Sequence, residues 1–324
     1  MALSDSFRQL WQNPIARKEY IAGTAITLFL FVSTLIVPVV GLFLGILTPL
    51  PSLIFLYRWG LGMGLWVPGT VALLSALLFP PMGLAGSLPF LLGFVFLGVM
   101  ISMGMGSGWS MEKTIAVPVA VIFVLGILLV SIALRDAEMG VATRLETNIQ
   151  RAISTMVQEL GPDAPETRAL EESLTSAVPL LVRVIPGLVV SSLLVISWLN
   201  ILAARRYCLK HNVEWPQWPS WSMWKAPEPL VWAVIGAGIA FLLPVAALKA
   251  LALNILLVLG TVYFFQGLSL TVFYLEKWNL PIFLRAIIFV IILLQQFVTL
   301  GVMLFGFFDV WFDFRKDTAK SEGA

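Results

Sequence analysis

The sequence predicts an all-α fold: a polytopic helical membrane protein with eight or nine transmembrane segments and a short extramembrane helical hairpin. Three observations predict it. Hydrophobic residues make up 59% of the 324 residues and charged ones 12%, against about 45–50% and about 25% in soluble domains. Apolar runs continue over about 20 residues, the length at which a helix rising about 1.5 Å per residue crosses the hydrocarbon core; strands of a membrane barrel would alternate instead. Only two polar interruptions longer than a tight turn separate the runs.

The chain opens with a polar, basic segment, residues 1–20, in which Leu3, Phe7, Leu10 and Trp11 share a helical face before Pro14 breaks it, so an interfacial helix is expected. No small-residue cleavage pattern follows, and the first span reads as a retained signal anchor. The expected segments are Ile21 to Val37, Pro38 to Tyr57, Gly60 to Phe79, Ser87 to Gly106, Thr114 to Leu134, Val178 to Ala203, Leu230 to Leu248, Ala250 to Leu275 and Pro281 to Phe308. Residues 21–204 form a six-span region containing an external helical hairpin at 136–177. There Val141, Leu145, Ile149, Ile153, Met156 and Leu160 repeat every three or four residues, the period of an amphipathic helix. Gly161 and Pro162 stop that helix, and Asp163 with Glu166 makes a capping-box-like start for a second one bearing Leu170 and Leu174. A Trp/Pro-rich loop at 205–229, a C-terminal membrane region of two or three spans at 230–308 and an aromatic, charged tail at 309–324 complete the chain.

Basic residues in short loops resist translocation. Arg8, Arg17, Lys18, Arg58, Lys113, Arg205, Arg206, Lys210 and Lys225 all fall inside if the N-terminus is inside, the orientation expected of this multi-pass protein. Nine crossings would put Arg315, Lys316 and Lys320 outside, against the rule, unless one of the last three apolar segments is re-entrant.

No Gly-Lys dipeptide occurs, so the phosphate-binding loop of P-loop ATPases is missing. Gly-x-Ser-x-Gly and His-Glu-x-x-His are missing too, and with His211 as the lone histidine no catalytic residues are assigned; the chain is expected not to be an enzyme. Cys208 is the lone cysteine, which leaves neither a disulfide framework nor a multi-Cys/His metal site, and no cofactor is expected. A formal charge of +2 gives no basic surface for nucleic acid.

The strongest polar feature within the spans is Thr48, Pro49, Leu50, Pro51, Ser52. Each proline removes a backbone donor and disfavours helix in the residue before it. The freed carbonyls then face either a solute cavity, as in broken transporter helices, or a packed turn. Gly41 with Gly45 and Gly60 with Gly64 are small-xxx-small pairs that permit close helix approach. In the later spans Tyr263, Gln266 and Tyr274 lie on one face, and so do Arg285, Gln296 and Thr299; these groups either bond between helices or contact solute. Arg183 lies near the outer boundary, where it snorkels or contacts an anion. The candidate solute-binding set is Thr48, Pro49, Pro51, Ser52, Arg183, Tyr263, Gln266 and Gln296. Trp215, Trp218, Trp221 and Trp224 recur every third residue among prolines, so a polyproline II segment would align all four indoles on one edge, as a membrane-anchoring belt or a partner interface. Asp309 and Asp313 share a helix face, with Lys316 near enough to pair with Asp313.

Thr48 to Ser52, Lys225 to Pro229, Asn254 with Phe265, Gln266 and Gly267, and Asp309 to Lys316 together resemble the YybS-like family of predicted bacterial membrane proteins, to which no activity is attached. The first roughly 200 residues are also similar in architecture to the substrate-binding S components of energy-coupling-factor transporters. That likeness implies partnership with separate transmembrane and ATPase coupling subunits, met in those proteins through small residues on the first span; here Ala22, Gly23 and Ala25 stand there. The expected role is therefore a small-solute-binding transport subunit in the lipid bilayer that relies on a separate energising module, or else an assembly or regulatory scaffold that transports nothing.

Overall fold

In the computed structural model of the chain, residues 3–133, 135, 140–160 and 165–316 are described. The described chain is helical: α1 Leu3–Gln12, α2 Pro14–Ile36, α3 Pro38–Gly45, α4 Leu50–Gly64, α5 Trp66–Leu78, α6 Leu88–Gly106, α7 Met111–Ala133, α8 Val141–Leu160, α9 Pro165–Lys210, α10 Leu230–Leu242, α11 Ala246–Lys277, α12 Ile282–Leu294 and α13 Gln296–Phe312. Among these residues six helices are long and apolar enough to span, or seven spans if the bent pair α12 and α13 counts as one. The expectation of eight or nine was higher because it counted α5 and α10. Each has 13 residues, about 20 Å of helix, short of a core about 30 Å thick.

The chain divides into two compact units, Met1–Gly126 with Ser192–Trp218, and Ile127–Ser191 with Pro219–Ala324. In the first, Asn13 caps α2 by accepting from Ile15 N and Ala16 N (3.1 and 3.2 Å), which explains why the chain breaks at Pro14 and restarts at once. The expected α1 forms, and its Leu10 joins a buried cluster with Ala16, Phe31, Phe55, Val67, Val71, Phe79, Leu91 and Val95. Phe7 lies on Trp66 with ring centroids 4.8 Å apart. Gly41 admits α3 against Ser33 and Thr34 of α2, where a Cβ would collide with backbone. Gly60 serves otherwise: its φ of 69° is a conformation L residues rarely adopt, and it kinks α4.

The second unit contains α8, the amphipathic helix read from its periodicity. Gly161, Pro162 and Asp163 lie outside the described residues. The second hairpin helix and the span after it, expected as separate elements divided near residue 177, are one helix of 46 residues, Pro165–Lys210. Pro179 and Pro186 sit inside it without ending it. Helix α11 runs 32 residues and packs on α13 where Gly267 meets the Val302 backbone and Gly306 meets Tyr263 and Gly267. The chain bends by 102° between α12 and α13. Arg285 is therefore on one arm and Gln296 and Thr299 on the other, so the expected shared face is broken.

Candidate functional site

The Pro-x-Pro break in the first unit lies inside the apolar stretch Val39–Gly64. Helix α3 ends at Gly45, residues 46–49 form turns, and α4 begins at Leu50. Proline chemistry explains the interruption: Leu50 N donates only three residues back, to Leu47 O (3.0 Å), and Pro51 has no N–H to give. Ile46 O takes its hydrogen bond from outside the segment instead, from Asn200 Nδ2 on α9 (2.8 Å). The same Nδ2 donates to Ile196 O (2.7 Å), so both amide protons of Asn200 are committed. Helix α6 crosses close by; a Cβ on Gly98 would strike Pro49 O.

Three side-chain oxygens at this break, Thr48 Oγ1, Ser52 Oγ and Asn200 Oδ1, have no hydrogen-bond partner among the described residues. Thr48, Ser52 and Asn200 are each 0% exposed. Buried polar atoms are normally paired, and an unpaired one costs about 1–3 kcal/mol. Ser52 and Leu56 stand four residues apart on one face of α4. Leu56 and Gly60 line a cleft of about 230 Å³ with Tyr57, Leu61, Ser102 and Met103, between α4 and α6. The cleft therefore opens one turn from Ser52 along the same face, with buried Leu56 between them.

The remaining candidates lie in the second unit. Arg183 is exposed on α9, and Gln296 is exposed at the start of α13. Tyr263 is 2% exposed, and its hydroxyl has no partner among the described residues. Gln266 is wholly buried and paired at both ends of its amide: Oε1 accepts from Ala226 N (3.2 Å) and Nε2 donates to Asp309 Oδ2 (3.1 Å).

Gln266 belongs to a polar clamp that ties the Trp/Pro loop to α11 and α13. Arg315 Nη1 donates to the carbonyls of Ser222 (2.8 Å) and Trp224 (3.1 Å) and to Ser269 Oγ (3.3 Å), while Nη2 donates to Asp309 Oδ2 (3.2 Å). Ser269 Oγ is also within 2.7 Å of Trp221 O and 2.9 Å of Trp224 O, and Asp309 Oδ1 accepts from Phe314 N (3.0 Å). Asp313 makes the turn possible: α13 ends at Phe312, and Asp313 adopts φ 44°, so Arg315 folds back onto Asp309. The expected common helix face of Asp309 and Asp313 is thereby lost, while the Lys316 pairing with Asp313 is present at 3.7 Å. Burial pushes the Arg315 guanidinium below its ordinary pKa, and the Asp309 carboxylate opposes that shift. Lys225, hydrogen-bonded at 2.5 Å, holds the Asp313 carboxyl below its usual range.

The extended backbone that would align four indoles does not run unbroken from Trp215 to Trp224. Trp215 and Trp218 meet edge to face in the first unit (5.6 Å), where Trp218 Nε1 donates to Trp109 O (2.9 Å). Trp221 and Trp224 stack in the second (6.1 Å), with Trp224 3% exposed. A three-residue helical turn at Trp221–Met223 interrupts the extended run on which the single edge depended.

Two further constellations escape sequence reasoning. Asn254 of α11 inserts its amide beside the α9 backbone, accepting from Gly187 N (2.5 Å) and donating to Arg183 O (2.8 Å). Gly187 leaves the room; a Cβ there would meet Asn254. In the first unit Glu19 binds Arg58, Trp59 Nε1 (2.8 Å) and Tyr207 OH (3.1 Å) at one end of α2, α4 and α9. The signal available was compositional: Glu19 and Arg58 flank spans that the charge rule sets at one side.

Continuous apolar helices with buried, internally bonded polar groups define a polytopic helical integral membrane protein. The chain belongs to the family described as predicted membrane protein (DUF2232), whose model matches residues 25–310. It is similar to "Uncharacterized protein YybS" of Bacillus subtilis (strain 168), 23% identical over 305 residues, covering 90% of this chain and 94% of the relative. No solved structure matches it.

Proposed function

We propose that the protein is a non-enzymatic membrane subunit that binds a small solute at the break between α3 and α4 and depends on a separate energising module for transport. The observation that carries this reading is the set of unpaired, buried oxygens on Thr48, Ser52 and Asn200 at an interrupted span. Hydrocarbon penalises such groups, and interrupted helices at membrane depth are tolerated where they face protein or a solute path. The cleft along the same face of α4 supplies an approach. The bacterial cytoplasmic membrane with the N-terminus inside is part of the proposal; it is supported by Glu19, Arg58 and Tyr207 meeting at one end of the first unit, which gathers the neighbouring basic residues Arg17, Lys18, Arg205 and Arg206 toward the same side. Native mass spectrometry of the purified chain tests the function: a retained small molecule that is lost when Pro49 and Pro51 are both replaced by Ala supports it. Retention equal to that of the parent chain removes the broken helix from the site.

A second reading, an assembly or regulatory scaffold without transport, is favoured by the clamp around Arg315. It fixes a Trp-rich loop with buried charge, a large investment for a mere connector. Recovery of the same membrane partner with the parent chain but not with Trp221→Ser, at unchanged fold, would support it.

A further inference from the structure

We infer that the ligand of the break at residues 46–49 is a bare monovalent cation, held by Thr48 Oγ1, Ser52 Oγ and Asn200 Oδ1; this deepens the solute-site reading above and rests on it. The donor set decides the chemistry. Asn200 has spent both amide protons on Ile46 O (2.8 Å) and Ile196 O (2.7 Å), which also fixes its orientation, since the reverse rotamer would set oxygen against two carbonyls. Its Oδ1 is left as a pure acceptor without a donor. Thr48 stands in the turn before α4 and Ser52 in the first turn of that helix, and Asn200 reaches the chain two residues before Thr48. All three oxygens are neutral.

Hard oxygen ligands suit an alkali or alkaline-earth ion, and the absence of a carboxylate in the set selects charge: divalent calcium and magnesium sites use Asp or Glu. Among the described residues no group of three or more His, Cys, Asp or Glu could hold a metal ion, and Glu19 is committed to Arg58, Trp59 and Tyr207. The three oxygens are buried from solvent, so a dehydrated ion, the smallest of solutes, suits them best.

The test uses the full chain in detergent micelles, titrated with NaCl or with choline chloride at constant ionic strength, with thermal unfolding as readout. The expected result is a saturable rise in Tm with Na⁺ and none with choline. Thr48→Val with Ser52→Ala should raise the half-maximal Na⁺ concentration about tenfold or more, the factor corresponding to about 1.4 kcal/mol. If that pair fails to fold, Ser52→Ala alone is read for the same shift. Equal responses to Na⁺ and choline, or an unshifted Na⁺ response in a folded variant, overturn the cation. Native mass spectrometry separates the two readings: an organic molecule retained by the parent chain and lost from the variant overturns the cation while leaving the solute site standing. If neither the Na⁺ response nor retention depends on these residues, both readings fall.

Discussion

Two regions bury polar groups and treat them in opposite ways: the clamp around Arg315 and the break at residues 46–49. Around Arg315 in the second unit, Asp309 accepts three hydrogen bonds, Arg315 donates four, and Gln266 is engaged at both ends. At the break in the first unit, three oxygens are buried with no hydrogen-bond partner among the described residues. A fully satisfied network specifies structure, whereas an unsatisfied one costs stability unless something else uses it. The difference teaches that burial of polarity alone does not mark a ligand site; several unspent acceptors at one break do, where a lone one such as the Tyr263 hydroxyl does not. Gln266, a solute candidate by sequence, has spent its capacity on Ala226 and Asp309.

The contrast can be broken by mutation, and the largest effect belongs to the clamp. Asp309→Ala leaves Arg315 buried without its counter-charge and should lower stability by about 3–5 kcal/mol, measured by reversible unfolding in mixed micelles. A cycle with Arg315→Met should show the double variant costing less than the sum of the singles. Gly267→Val comes next: its side chain would meet the Val302 backbone, so α11 and α13 must separate, at about 1–3 kcal/mol. Asn254→Leu removes two hydrogen bonds to α9, each worth about 0.5–1.5 kcal/mol net; faster amide exchange near Gly187 should accompany it. The smallest effect is that of Lys225→Met. Because Lys225 lowers the Asp313 pKa, the pair's contribution is present above the unfolded carboxylate pKa of about 3.9 and is lost as pH falls through the lower folded value. Lys225 is 43% exposed, so screening holds the contribution to about 0.5 kcal/mol, and the variant should differ from the parent chain near neutral pH but converge with it in strong acid.

Local pattern made much of this legible. The α1 face, the α8 periodicity and the break at Pro49 and Pro51 follow from spacing and proline chemistry within a few residues. What stayed hidden depends on long-range partners or on one backbone angle. Nothing near Asn200 announces Ile46, 154 positions away, and nothing near Asn254 announces Gly187. Asp313 reads as helix until its left-handed φ turns Arg315 back onto Asp309, a conformation Asp tolerates better than most residues. The expected span count is higher than the six or seven long apolar helices because apolar composition does not reveal that Trp66–Leu78 and Leu230–Leu242 stop after 13 residues, and the 102° bend at Gln295 has no proline to signal it.

The measurement that tests the contrast most directly is the ligand-free unfolding free energy of Thr48→Val with Ser52→Ala, taken in choline chloride. If the oxygens at the break hold nothing in the fold, removing the two hydroxyls should leave stability within about 0.5 kcal/mol of the parent chain or raise it. A loss of about 2 kcal/mol or more would mean that the hydroxyls are bonded within the packed protein, as the clamp residues are, and would contradict the assignment of the break as a binding site.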